Sequence, residues 1–106
     1  MHECIIFERG EFRREECEMK WDIILYLYVH LRKGEVDRVE LCTHKVYRLT
    51  EDYEKIINGI LGAKYSDTIS LFNSIVKILN NYCGRDWKTR FDISMNEHEV
   101  QFNVLL

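Results

Sequence analysis

The sequence predicts an α+β fold, in which an antiparallel sheet of about five or six strands carries a pair of helices on one face. Three observations support this fold class. Apolar residues alternate with a period of two from Cys17 to Leu31, they recur at helical spacing in two segments between residues 50 and 84, and they alternate again between residues 87 and 106. We take residues 1–106 as a single domain.

The chain begins with a short apolar run, Cys4–Glu8, which predicts a first strand closed by a turn at Arg9–Gly10. The next segment, Glu11–Glu18, is dense in charges of both signs. It is interpreted either as a solvated strand at the edge of the sheet or as the first turns of a helix.

Cys17–Leu31 is apolar at every odd position, which favours a strand with one face in the core. A helix over the same residues is the alternative, because Glu-rich residues precede it and Arg32–Lys33–Gly34 would suit a helix end. If it is a strand, the same three residues form a hairpin loop with Gly in the left-handed region. That loop would place Leu27 opposite Val39 and Leu25 opposite Leu41. Val36 is out of phase with this alternation and is left without an explanation.

Two helices are predicted next. The first has Thr50 as its N-cap, ends at Gly62 and buries one face: Tyr53, Ile56, Ile57, Ile60 and Leu61. The second is capped by Ser66 or Asp67 and ends at Gly84. Its apolar stripe is Ile69, Phe72, Val76, Leu79 and Cys83, widened by Leu71, Ile75, Ile78 and Tyr82. The helices form an αα-hairpin.

The last segment predicts a hairpin of Trp87–Met95 with Val100–Leu106. A two-residue loop at Asn96–Glu97 would place Ile93 opposite Val100 and Phe91 opposite Phe102. A four-residue loop would keep the same faces and shift the partners. The residues expected in the core are Leu25, Leu27, Ile57, Ile75, Leu79, Phe91 and Phe102.

Composition limits the function classes. The net charge of −3 gives no global attraction to nucleic acid or anionic membrane. No apolar run is long enough to cross a membrane, and the first residues lack the features of a signal peptide, so the cytoplasm is the expected compartment. The four cysteines are scattered along the chain and are expected to be reduced thiols rather than a disulfide framework.

No phosphate-binding, zinc-protease, nucleophile-elbow or C-x-x-C motif is present, so we expect a non-catalytic protein without a cofactor. The best metal candidates are two pairs, His2-x-Cys4 and Cys42-x-His44. Residues i and i+2 of a strand point the same way, so together the pairs could form a Cys2His2 zinc set. Nothing in the sequence shows that the pairs meet, and we expect no bound metal. Cys17 lies between Glu16 and Glu18, whose charges would suppress its thiolate.

The second face of the predicted sheet is the better candidate for binding. Even positions of the central strand, opposite its core side, are Tyr26, Tyr28, His30 and Arg32. The same parity on other strands adds Arg38, Lys88, Arg90, Gln101 and Asn103. Tyr and Arg are enriched at binding hot spots, so we assign Tyr26, Tyr28, His30, Arg32, Arg38, Lys88 and Arg90 to partner binding. The alternative is that another segment covers this face and the tyrosines belong to the edge of the core.

Two functions fit such a face. The first is a protein-binding module, such as an inhibitor, an immunity-type protein or an accessory protein. A homodimer that pairs through this face belongs to the same class. The second is a single-stranded nucleic-acid binder that stacks bases on Tyr26 and Tyr28. Overall charge favours the first. A zinc-binding domain is a third, weaker alternative.

Overall fold

The computed structural model of the chain describes residues 2–20, 22–44, 52–83 and 91–105, and only the backbone of His44, Tyr82, Cys83 and Phe91. Within these ranges the chain forms an antiparallel six-stranded sheet and two helices, which confirms the α+β fold. The elements are β1 (His2–Glu8), β2 (Glu11–Cys17), β3 (Ile23–Arg32), β4 (Glu35–His44), α1 (Tyr53–Gly62), α2 (Thr68–Cys83), β5 (Phe91–Met95) and β6 (Glu99–Leu105).

The strand order is β2-β1-β4-β3-β6-β5. The edges of the sheet are therefore β2 and β5, and β3 lies between β4 and β6. The connection from β2 to β3 has to pass β1 and β4, because those two strands separate β2 from β3. None of the helices in the described ranges is long and apolar enough to span a membrane.

The central strand is shorter than predicted. Residues 23–32 form β3, which excludes the helix alternative, but Cys17 is the last residue of β2 and the chain leaves the sheet between them. The prediction of one strand from Cys17 to Leu31 therefore combined the last residue of β2 with most of β3. Glu11–Cys17 is the solvated edge strand that its charge density suggested, exposed at nearly every position.

The turn between β3 and β4 corrects the predicted register. Lys33 and Gly34 have φ values of 53° and 77°, so they form the two-residue type I′ turn that suits the twist of a hairpin. Arg32 is paired with Glu35 and does not belong to the loop. The turn moves the register by one residue and a β-bulge at Asp37 moves it by one more, so Leu27 lies opposite Leu41, two residues from the predicted Val39, and Leu25 lies opposite Thr43. A shift by two keeps every side chain on its predicted face.

A β-bulge explains the phase of Val36. Leu31 pairs with Val36 and His30 pairs with Arg38, so Asp37 is the extra residue of β4. The bulge lets Val36 pack against the core while Arg38 faces the other way. The backbone N–H of Val36 donates to the hydroxyl of Tyr65 at 2.9 Å, which attaches the bulge to the segment between the helices.

The C-terminal hairpin has the longer of its two predicted loops. Met95 pairs with Val100 and Ile93 with Phe102, which leaves four residues, 96–99, between the paired positions. The Asn96 side chain organises this loop, because its Oδ1 accepts hydrogen bonds from the backbone N–H groups of His98 and Glu99. Residues 87–90 of the predicted strand lie outside the described residues.

Helix α1 buries Tyr53, Ile56, Ile57 and Ile60 as predicted and ends at Gly62. Its N-cap is Asp52, two residues later than the predicted Thr50, which lies outside the described residues. Gly59 has a packing role: a Cβ atom there would lie 3.3 Å from Cδ1 of Ile78 on α2. The close approach of the two helices accounts for glycine in a helix interior.

Helix α2 is capped by Asp67, whose Oδ1 accepts from the backbone N–H of Ser70 at 2.8 Å, while Ser70 Oγ accepts from the Asp67 N–H. The predicted stripe is rotated. Ile69 is 63% exposed, and the fully buried line is Leu71, Ile75 and Leu79. The predicted end at Gly84 and the side chains of Tyr82 and Cys83 lie outside the described part.

The core lies between the helices and one face of the sheet, which we call the helix-covered face. Six of the seven predicted core residues are fully buried: Leu25, Leu27, Ile57, Ile75, Leu79 and Phe102. The side chain of the seventh, Phe91, is not described. Phe102 stacks on Phe72 of α2 with ring centroids 5.2 Å apart.

Candidate functional site

The opposite side of the sheet, which we call the open face, carries the polar side chains of the central strands. Both described helices pack on the other side. The register brings the predicted tyrosine strand between two neighbours, because Tyr26 pairs with Cys42 and Asn103, and Tyr28 pairs with Glu40 and Gln101. The open face consists of His2, Cys4, Ile6 and Glu8 on β1, Arg38, Glu40 and Cys42 on β4, Tyr26, Tyr28 and His30 on β3, and Glu99, Gln101 and Asn103 on β6.

Tyr28 is half-buried and held in place by a carboxylate. Its hydroxyl donates to Glu99 Oε2 at 2.7 Å. Burial, followed by the hydrogen bond and charge of Glu99, raises the pKa of Tyr28 to about 12. Burial also raises the pKa of the neighbouring Tyr26 hydroxyl, with Glu40 as the second cause. Both phenols therefore stay neutral, and the hydrogen bond to Glu99 holds the Tyr28 side chain in place.

Arg38 does not offer a free guanidinium. It donates to Glu8 on β1 and to Glu40 on its own strand. These two carboxylates raise the pKa of Arg38, and the Arg38 hydrogen bond lowers the pKa of Glu8. The charge of Arg38 is thus neutralised within the face, which changes what the face can attract.

His30 and Arg32 lie in different structural environments. His30 Nδ1 lies 2.6 Å from Oδ1 of Asp37, the bulge residue. Arg32 is exposed at the end of β3 next to the turn. Lys88 and Arg90, the other two residues assigned to partner binding, lie outside the described residues.

The open face is acidic around the tyrosines. A shallow cleft beside Tyr26, Tyr28 and His30 is lined by three carboxylates and one guanidinium: Glu8, Asp37, Glu40 and Arg38. Glu99 adds a further carboxylate through its contact with Tyr28. The described part of this surface therefore favours a cationic ligand over an anionic one.

The second cluster on the open face is made of sulfur atoms. Cys4, Cys17 and Cys42 come from three adjacent strands, and their Sγ atoms all lie within 4.8 Å of one another. Cys4 is directly opposite Cys42, with 4.0 Å between Cα atoms, and 6.4 Å separates the Cα atoms of Cys4 and Cys17. The cysteines that are scattered in the sequence therefore converge in the fold.

The two metal-candidate pairs do meet. Besides Cys4 and Cys42, the register places His2 opposite both His44 and Cys17. His2 is buried, with 6% of its surface exposed, whereas the side chain of His44 is not described. The two pairs are therefore adjacent because β1 and β4 are antiparallel neighbours in this register, which the sequence alone could not show.

Sequence reasoning missed Cys17 and the carboxylates of the face. Cys17 was assigned to the central strand, and only the boundary between β2 and β3 places it next to His2. Glu8 and Glu40 share the parity of Cys4 and Arg38, and this was a usable signal. Glu40 is two residues from Arg38 on the same strand, but the pairing of Glu8 with Arg38 depended on β1 lying beside β4, which nothing in the sequence indicated.

No protein-family model, curated protein or solved structure matches this chain. The function must therefore be argued from the arrangement of its own residues.

Proposed function

We propose that the chain is a non-catalytic module that binds another protein through the open face, as an inhibitor, immunity-type or accessory protein in the cytoplasm. The observation that carries the proposal is the partly exposed pair Tyr26 and Tyr28 in an acidic surrounding, with Tyr28 held by its hydrogen bond to Glu99. Tyrosine contributes large contact area with little loss of conformational entropy, and a side chain already held by a hydrogen bond loses less still.

The charge of the face suggests the chemistry of the partner. Arg38 is paired with Glu8 and Glu40, so the carboxylates of the cleft outnumber its cations among the described residues. We therefore propose a partner that presents a basic patch, with Arg or Lys side chains directed at Glu99 and at the excess of carboxylates in the cleft. The same pairing weakens the single-stranded nucleic-acid alternative, because Arg38 is not available to bind phosphate.

The test compares the binding of three purified chains to a partner retained from the native host and then purified. Losing one central aromatic side chain commonly costs about 2 kcal/mol, or about thirtyfold in affinity, so Tyr28→Ala should weaken binding at least that much. Lys77→Ala, on the exposed side of α2, is the matched control and should bind like the parent. Circular dichroism establishes that both variants are folded.

Three results would contradict the proposal. The first is equal affinity of all three chains, which would remove the open face from consideration. The second is retention of single-stranded nucleic acid, with an affinity that falls steeply with salt and is lost in Tyr28→Ala, which would favour the alternative. The third is self-association abolished by Tyr28→Ala, which would make the face a homodimer interface.

A further inference from the structure

The cysteine cluster is a second feature of the open face, and the proposed protein-binding function does not depend on it. Three thiols from β2, β1 and β4 converge at one end of the open face, where Cys4 is 3% exposed and Cys42 5% exposed. We propose that Cys4, Cys17 and Cys42, with His2 as the fourth ligand, bind one zinc ion. Cys3His is one of the ordinary ligand sets of structural zinc sites.

The positions of the three cysteines suit the metal. Thiolates bind zinc at about 2.3 Å in a tetrahedron, which separates the sulfurs by about 3.8 Å. The three Sγ atoms lie within 4.8 Å of one another, and side-chain rotations that move the Sγ of Cys4 away from the other two bring them to these positions. The backbone already holds the three residues at adjacent strand positions and needs no rearrangement.

A disulfide accounts for the cluster less completely. The Sγ of Cys4 lies at bonding distance from the Sγ atoms of both Cys17 and Cys42. A cysteine sulfur forms only one disulfide, so either bond would leave the remaining cysteine as a thiol beside it. A zinc ion uses all three sulfurs at once.

Two carboxylates lie next to the cluster. Glu15 on β2 is directly opposite Cys4, and Glu40 precedes Cys42 by two residues on the same face of β4. Arg13 already pairs with Glu15 and Arg38 with Glu40, so the preference for a divalent cation comes from the three sulfurs, which zinc binds as thiolates.

His2 is the best-placed fourth ligand among the residues whose side chains are described. It precedes Cys4 by two residues, so its side chain leaves β1 on the same face, and it is directly opposite Cys17. His2 and Cys17 line one cleft together with Met19 of the β2–β3 connection. The same connection lines the cleft that contains Cys4 and Cys42.

The ion would add a further link to an edge strand that pairs with β1 but buries few of its side chains. Six of the seven residues of β2 are exposed, and its ion pairs, such as Arg13 with Glu15, lie at the surface where such pairs contribute little. A zinc ion bound by Cys17 on β2 and by Cys4 and Cys42 on its neighbours would link three strands. We therefore expect zinc to stabilise the β2 end of the sheet.

The experiment uses the full chain, produced in zinc-containing medium and purified without a polyhistidine tag or reductant. We expect about one zinc per chain by elemental analysis. Replacement of zinc by Co²⁺ should give the intense visible bands of tetrahedral cobalt and the ultraviolet bands of thiolate–cobalt charge transfer. These spectra are recorded on the unaltered chain, so they do not depend on whether a variant folds.

Variants then assign the ligands. Cys4→Ser, Cys17→Ser, Cys42→Ser and His2→Ala should each weaken zinc binding by more than about 100-fold, the upper end of the loss caused by removing a group that only hydrogen-bonds to a ligand. Cys83→Ser is the matched control, because Cys83 belongs to α2 and to none of the three strands, and it should bind zinc like the parent.

Three outcomes would overturn the proposal. A metal-free chain in which only two of the four cysteines react with a thiol reagent after denaturation contains one disulfide instead of a zinc site. A metal-free chain with four reactive cysteines contains neither. Zinc that is retained in Cys4→Ser, Cys17→Ser and Cys42→Ser alike is bound elsewhere.

Discussion

The two faces of the sheet differ in how their contacts are specified. On the helix-covered face, Leu27, Val29 and Phe102 are fully buried among other apolar side chains. On the open face, Tyr28, Arg38 and His30 each contact one particular partner or pair of partners. Apolar burial is non-directional, so an alternating pattern is enough to specify it. Polar contacts depend on which strand lies next to which, and therefore on the register.

The largest expected difference between the faces is in stability. Leu27→Ala removes a fully buried side chain from the centre of the core and should lower the free energy of unfolding by about 2–5 kcal/mol. Gln101→Ala, on neighbouring β6 but on the open face, should change it by less than about 0.5 kcal/mol. Urea denaturation measures both. Similar losses for the two variants would mean that the open face is also part of the core.

A smaller loss of stability is expected for a substitution at the edge of the helix-covered face. Phe12 on β2 is 39% exposed and contacts Phe7 edge to face, with ring centroids 5.1 Å apart. Phe12→Ala should therefore reduce the free energy of unfolding by about 0.5–1.5 kcal/mol, the range of an aromatic pair. Phe102→Ala, at the buried stack with Phe72, should reduce it by about 3–5 kcal/mol. If denaturation gave Phe12→Ala the larger loss, the edge strand would be more firmly packed than its exposure indicates.

The smallest expected effect is a shift in the pKa of a tyrosine on the open face. Glu99 helps to raise the pKa of Tyr28 to about 12, so Glu99→Gln should move one tyrosine titration to lower pH. Absorbance of the tyrosinate group follows the titration, and Tyr28→Phe identifies which transition belongs to this residue. An unchanged titration curve in Glu99→Gln would contradict the hydrogen bond.

The same pKa has a consequence for stability. The folded pKa of Tyr28 lies above its ordinary value of 10, so in the unfolded chain the phenol loses its proton first. The unfolded state is therefore favoured as pH rises from about 10 to 12, and the free energy of unfolding falls over this range. The fall should be smaller in Tyr28→Phe than in the parent, as measured by urea denaturation at several pH values.

Some features of the candidate site could be predicted from the sequence and others could not. Tyr26 and Tyr28 were assigned to the open face because parity survives a register shift of two residues. The availability of Arg38 was not predictable, because Glu8 comes from a strand thirty residues away in the chain. The cysteine cluster was missed for a related reason: Cys17 was counted with β3, although the chain leaves β2 at that residue and re-enters the sheet three strands away.

The sequence by itself determined the α+β class, the two helices, the hairpins and six of the residues of the core, since all of these follow from local periodicity and turn chemistry. Only the tertiary structure decided the strand order, the bulge at Asp37 and the meeting of His2, Cys4, Cys17 and Cys42. The physical reason is that apolar side chains need only an interior, whereas ion pairs and metal ligands need specific neighbours. Those neighbours come from distant segments, and the pairing of the strands selects them.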